Sequence, residues 1–196
     1  LREKVFGIWQ TTTWAAQAAE TRALAGGLAA AGLARGEHVV VVGENRPRLY
    51  ASMLAAQSLG AIPVPLYQDA AGAEFVFPIV NAEVAFAIVE DQEQVDKLLE
   101  IRPQCPGLAR IWYDDPRGLR NYAAPGLGSL DSLLDALAPD VFDTEVARGQ
   151  PNDVAAMFYT SGTTGKPKGV LHSHFTLLDR AQAGARFDKL TNKEEV

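Results

Sequence analysis

His38–Val42 places four valines in a row behind one histidine. Successive side chains on a strand point to opposite faces, so a strand wetted on one side alternates apolar and polar residues. An unbroken apolar run instead suits a strand covered on both sides, as in a parallel sheet. Short apolar runs recur at 61–65, 84–89, 108–113 and 154–159, with helix-like spacing between most of them. The pattern predicts helices over 14–34, from 45 to 59, over 73–81, Gln92–Ile101, from Ser129 through Leu137, and 175–187. Thr13 caps the first helix, Gly36 breaks it, and Asn45 with Pro47 opens the second. Strands alternating with helices make the chain α/β: a layered, mostly parallel sheet with helices on both faces. Pro63 and Pro65 put the run at 61–65 on a sheet edge or make it leave the sheet early, because proline cannot donate to a ladder.

The densest chemical signal is Thr160-Ser161-Gly162-Thr163-Thr164-Gly165-Lys166-Pro167-Lys168-Gly169. Gly162 and Gly165 allow positive φ, so successive N–H groups can converge on one anion. The hydroxyls of Thr160, Ser161, Thr163 and Thr164 add donors, and Lys166 and Lys168 add compact positive charge. The same residue types build ordinary turns. However, a turn has no need to concentrate hydroxyls and like charges with no acid among them. The NTPase pattern requires Gly, four residues, then Gly-Lys-Ser/Thr. Here Thr160 replaces the first glycine and Pro167 the hydroxyl residue. The dinucleotide fingerprint also fails, since no glycine lies two residues before Gly162.

Residues 159–170, YTSGTTGKPKGV, resemble the phosphate-binding signature of the AMP-forming adenylating enzymes: acyl- and aryl-CoA synthetases, firefly-type luciferases and peptide-synthetase adenylation domains. The resemblance continues through Gly7-Ile8-Trp9-Gln10, Gly43-Glu44-Asn45-Arg46-Pro47, residues 60–67 and Tyr113-Asp114-Asp115-Pro116-Arg117. These stretches are similar to bacterial long-chain acyl-CoA synthetases. Phe175-Thr176 departs from the pattern that commonly follows His174, and His174 receives no role. The resemblance implies the N-terminal third of a longer enzyme, with a small mobile C-terminal domain absent. On that reading residues 1–138 form a first α/β subdomain, 139–153 a linker, and 154–196 the phosphate-loop hairpin with its following helix.

The implied activity is carboxylate adenylation with ATP and magnesium, then thioester formation with coenzyme A, on a long-chain fatty acid. Thr160, Ser161, Gly162, Thr163, Thr164 and Gly165 would cradle the β- and γ-phosphates, with Lys166 and Lys168 beside them. Lys168 is the stronger candidate, because it holds the basic position of the signature, whereas Lys166 is equally a solvated turn charge. No catalytic or metal-ligating residue is assigned within this stretch, and the stretch alone is expected not to turn over. An aryl- or medium-chain CoA ligase, or a catalytically silent nucleotide-binding module, are the alternatives.

Net charge −6 argues against a nucleic-acid partner and gives no polybasic patch for a membrane. A single cysteine, Cys105, precludes an intramolecular disulfide and suits a reducing, cytoplasmic compartment. Peripheral contact with the inner membrane is left to the parent enzyme, and the oligomeric state is not legible. The other polar candidates have structural readings: His172 and His174 lack a third metal ligand. Asp114-Asp115 suits a turn, and Glu90-Asp91 a helix start. Trp9, Trp14 and Tyr67 are expected in a core or interface.

Overall fold

The computed structural model describes residues 1–135, 140–160 and 167–191. An antiparallel hairpin, β1 (Arg2–Val5) and β2 (Ile8–Thr11), comes first and turns through Phe6 and Gly7, both at positive φ. Helix α1 (Trp14–Ala30) follows, then β3 (His38–Val42), α2 (Pro47–Ser58), β4 (Ile62–Leu66) and α3 (Gly72–Asn81). Next come β5 (Phe86–Val89), α4 (Gln92–Ile101), β6 (Arg110–Tyr113), β7 (Leu127–Ser129) and α5 (Asp131–Leu134). Helix α6 (Val141–Arg148), strands β8 (Val154–Thr160) and β9 (Lys168–Ser173), and helix α7 (His174–Phe187) complete the order.

The valine run does what its composition requires. Val39 and Val41 join one apolar layer, built with Leu24 and Leu28 of α1, Leu49 and Ala55 of α2, and Leu133 of α5. Val40 and Val42 join the opposite layer, with Phe75 and Ile79 of α3 and Val95 and Leu98 of α4. The parallel sheet has the order β4-β3-β5-β6-β7. The chain steps from β3 outward to β4, then returns past β3 to β5. Right-handed crossovers on the two sides of β3 therefore need helices on opposite faces, and α2 and α3 lie so.

Strand β4 is an edge strand, as its prolines predict. Ile62 N donates to Glu37 O at 2.8 Å, toward β3. Backbone donors alternate sides along a strand. Positions 63 and 65 therefore present their missing N–H groups to the outer edge, where proline forfeits nothing. Strand β8 packs along this edge without extending the ladder and pairs only with β9.

Several expectations are corrected. The first helix ends at Ala30 rather than 34, because Gly32 turns the chain at φ 101°. Thr13 does cap it, accepting from Ala16 N at 3.1 Å. Arg46, not Asn45, is the residue before α2, with Pro47 in its first turn. Pro78 sits inside α3 without ending it. Beyond Asp114-Asp115 the chain returns as β7, a fifth parallel strand too short to show a period. The segment read as a linker, 139–153, carries α6. Trp9, Trp14 and Tyr67 are exposed, at 62%, 68% and 72%. Cys105 is buried, and burial pushes its thiol pKa up.

Candidate functional site

The run 154–159 forms a strand because alternate residues find different partners. Met157 and Tyr159 pack toward the apolar layer beneath α3 and α4, while Phe158 turns the other way and meets His172 edge-on, ring centroids 5.4 Å apart. Strands β8 and β9 are antiparallel, with Thr160 opposite Lys168 and Tyr159 opposite Gly169. Directly opposed residues share a face. Thr160 and Lys168 thus stand together on the face of Phe158, both exposed, on either side of the loop's two ends. Of the proposed phosphate contacts, the structure brings these two together. Ser161, Gly162, Thr163, Thr164, Gly165 and Lys166 lie outside the described residues.

The hairpin is tied to the parallel sheet by side chains at both ends. At its base, Gln57 Nε2 donates to Ala155 O at 2.8 Å. Arg35 reaches Asp153 Oδ2 at 3.4 Å and Glu145 Oε2 at 2.9 Å. Asp153 also receives Gln150 N at 2.9 Å on Oδ2 and His174 N at 3.1 Å on its carbonyl. Toward the loop, Tyr159 Oη donates to Asn81 Oδ1 at 2.6 Å, and its ring meets Phe77 at 6.2 Å and 88°. Burial raises the Tyr159 pKa and keeps the hydroxyl a donor.

The other polar candidates separate. His172 stays on β9, whereas His174 begins α7, where Ser173 caps by accepting Thr176 N at 3.2 Å. Among the described residues, no group of three or more acids, histidines or cysteines could hold a metal. Asp114 and Asp115 diverge: Asp114 Oδ1 binds Arg48 at 2.6 Å, while Asp115 binds Arg117. Burial raises Asp114 against the pull of Arg48, and the hydrogen bonds from Arg117 lower Asp115. Asp91 caps α4, but Glu90 faces Arg46 at 2.9 Å instead of serving the helix.

Sequence reasoning missed the cleft at the carboxyl ends of β3 and β4, lined by Asn45, Arg46, Tyr50, Met53, Tyr67 and Gln68. Ligands of open α/β sheets bind in such crevices. Gly43 is its one legible signal, because a Cβ there would stand 2.6 Å from Glu90 Cβ. Arg46 in the cleft is already paired with Glu90 and with Glu44 at 3.0 Å, so it offers no spare cation.

The arrangement has known parallels. A long-chain-fatty-acid–CoA ligase of Mycobacterium bovis, FadD15, is 29% identical over 166 residues, covering 83% of this chain and 26% of that protein. The human long-chain-fatty-acid–CoA ligase ACSBG2 is 32% identical over 172 residues, 84% of this chain and 25% of that one. The chain spans about a quarter of the curated relatives it matches. Among solved structures, the long-chain-fatty-acid–CoA ligase FadD1 of Archaeoglobus fulgidus superposes with TM-score 0.74 at 25% identity, covering 89% of this chain and 32% of that one. Acetoacetyl-CoA synthetase of Streptomyces lividans shares the fold, with TM-score 0.77 at 23% identity over 92% of this chain and 29% of its own. The AMP-binding enzyme family matches residues 2–195, nearly the full length including both stems of the loop, and the chain belongs to that family.

Proposed function

We propose that this chain supplies the triphosphate grip of an AMP-forming acyl-CoA ligase whose carboxylic acid is a long-chain fatty acid. The observation that carries the reading is Thr160 facing Lys168 across the stems of the YTSGTTGKPKGV signature. In the first step a carboxylate oxygen attacks the α-phosphorus of ATP, the Pα–O bond to pyrophosphate breaks, and an acyl-adenylate forms. In the second, the coenzyme A sulfur attacks the acyl carbon and AMP leaves with the bonding electrons. A carboxylate is already nucleophilic, so the first step needs little acid–base help. It needs positioning and stabilisation of charge on departing pyrophosphate. The Lys168 ammonium and the Thr160 hydroxyl supply donors for that charge. Ser161 through Lys166 complete the cradle by signature, and magnesium arrives on the nucleotide's phosphates.

The long-chain assignment draws on the names of the relatives above. Residues 1–135 serve as the scaffold against which the hairpin is braced. The test is carboxylate-dependent ATP–pyrophosphate exchange by the natural polypeptide carrying this sequence, with palmitate, benzoate and acetate compared. Palmitate-dependent exchange is expected. Exchange with benzoate alone would move the substrate to the aryl class. ATP binding without exchange for any acid would make this a silent nucleotide-binding module.

A further inference from the structure

Tyr159 lies outside the cradle itself, yet it meets three elements at once. Its ring crosses over Gly169, its partner on the return strand, and a Cβ at Gly169 would stand 3.4 Å from Tyr159 Cζ and 3.0 Å from Met157 Sδ. Its edge packs on Phe77, and its hydroxyl ends on Asn81, the last residue of α3. The closing turn of a helix leaves carbonyls unsatisfied and carries partial negative charge. A phenolic donor directed there is held by that field as well as by Asn81 Oδ1.

Resting on the phosphate-grip reading, we infer that Tyr159 is a positioning residue: it pins the entry stem through Thr160 and the exit stem through Gly169 to the end of α3. The Tyr159 ring lies in ordinary contact over Gly169, and the tighter neighbour of a side chain there would be Met157 Sδ. The prolines of β4 make such a device necessary. They leave β8 no backbone ladder to the sheet, so among the described residues side-chain bridges tie the hairpin's strands to it. Tyr159 touches no substrate. It acts by holding Thr160 and Lys168 in place, and a loop held less firmly loses part of its binding to ordering.

The experiment titrates MgATP calorimetrically into the natural polypeptide carrying this sequence, with thermal unfolding in parallel. Tyr159→Phe keeps the ring and removes the hydroxyl, and Asn81→Ala removes its 2.6 Å acceptor, leaving the Pro78 carbonyl at 3.5 Å as the weaker one. Each should weaken ATP binding by about three- to tenfold, the range of one lost hydrogen bond. The double variant should bind no more weakly than either single one, because both break the same contact. Lys168→Ala is the control for the underlying reading. If Lys168→Ala weakens ATP binding and Tyr159→Phe does not, the positioning role is overturned and the grip stands. Additive losses in the double variant, or a lowered melting temperature with unchanged ATP affinity, also overturn it. A parent protein that does not bind ATP, or binds it equally well with Lys168→Ala, overturns both.

Discussion

Arg35 and Glu145 are joined twice: Arg35 Nε donates to Glu145 Oε2 at 3.0 Å, and Arg35 Nη2 donates to the Glu145 carbonyl at 2.8 Å. The same guanidinium reaches Asp153, so one side chain after α1 fastens both α6 and the foot of the loop hairpin. Arg35→Ala should lower stability by about 1–2 kcal/mol, with the ion pairs discounted because both partners are partly wetted. Arg35→Lys should recover only part of the loss, since an ammonium cannot span a carboxylate and a carbonyl as a planar fork does. Urea unfolding of the three proteins checks both statements. Wild-type stability in Arg35→Ala would remove Arg35 from the base of the hairpin.

Glu145 makes this fastening sensitive to acid. Burial works to raise its pKa, but hydrogen bonds and charge from Arg35 and Arg148 outweigh it and leave Glu145 below its ordinary 4.5. The unfolded chain therefore takes up the proton first, and stability rises with pH through that interval. The contribution is intact above about pH 4.5 and fades as pH falls through the lower folded-state value. Glu145→Gln should flatten the acid limb of the stability–pH curve and leave its neutral part parallel to wild type. An unchanged acid limb would count against the pairing.

Gly27 tests packing against helix propensity. Alanine normally gains about 1 kcal/mol over glycine inside a helix. A Cβ at Gly27, however, would stand 2.6 Å from Leu133 Cβ and 2.7 Å from its carbonyl carbon, in the contact between α1 and α5. Overpacking of that kind costs roughly 1–3 kcal/mol, so it equals or exceeds the propensity gain. Gly27→Ala should fail to stabilise and should lower the unfolding midpoint. A raised midpoint would mean that α5 yields freely.

Lys168 is exposed, and its removal should leave stability within about 0.5 kcal/mol of wild type. Lys168→Ala should instead lower pyrophosphate exchange by about two to three orders of magnitude, the usual loss of one preorganised donor. Thr160→Ala should fall in the same direction and by less, because a neutral hydroxyl stabilises developing charge less than an ammonium does. Full exchange in Lys168→Ala would sink the assignment of the loop.

Local pattern was legible wherever one residue's own chemistry decided the outcome. Gln92–Ile101 could be bounded at both ends, because Asp91 caps the helix and an apolar stripe runs along it. The edge position of β4 followed from two prolines. Strand β7 was not legible: three residues are too few for a period, and Leu127 to Ser129 are extended because Ile111, Trp112 and Tyr113 lie beside them. Helix α6 was hidden by its flanks, Pro139 before it and Gly149 with Pro151 after it. Trp9 and Trp14 are exposed, which removes the core half of a core-or-interface expectation, because aromatic character does not say which surface is covered. The signature picked out Thr160 and Lys168, and the structure sets them opposite each other. Nothing local announced Asn81, which lies 78 positions before Tyr159.

The sequence by itself determined the class of fold and supplied the residues on which the phosphate-grip proposal rests. A strand's need for cover on both faces is written in four adjacent valines, and an anion's need for donors in hydroxyls, glycines and lysines. Only the tertiary structure decided which side chains tie the hairpin strands to the sheet: Arg35 at the base, and Tyr159 with Asn81 at the other end. The physical reason is that periodicity and composition act over a few residues. Hydrogen bonds and ion pairs between distant segments exist only once packing has brought those segments together.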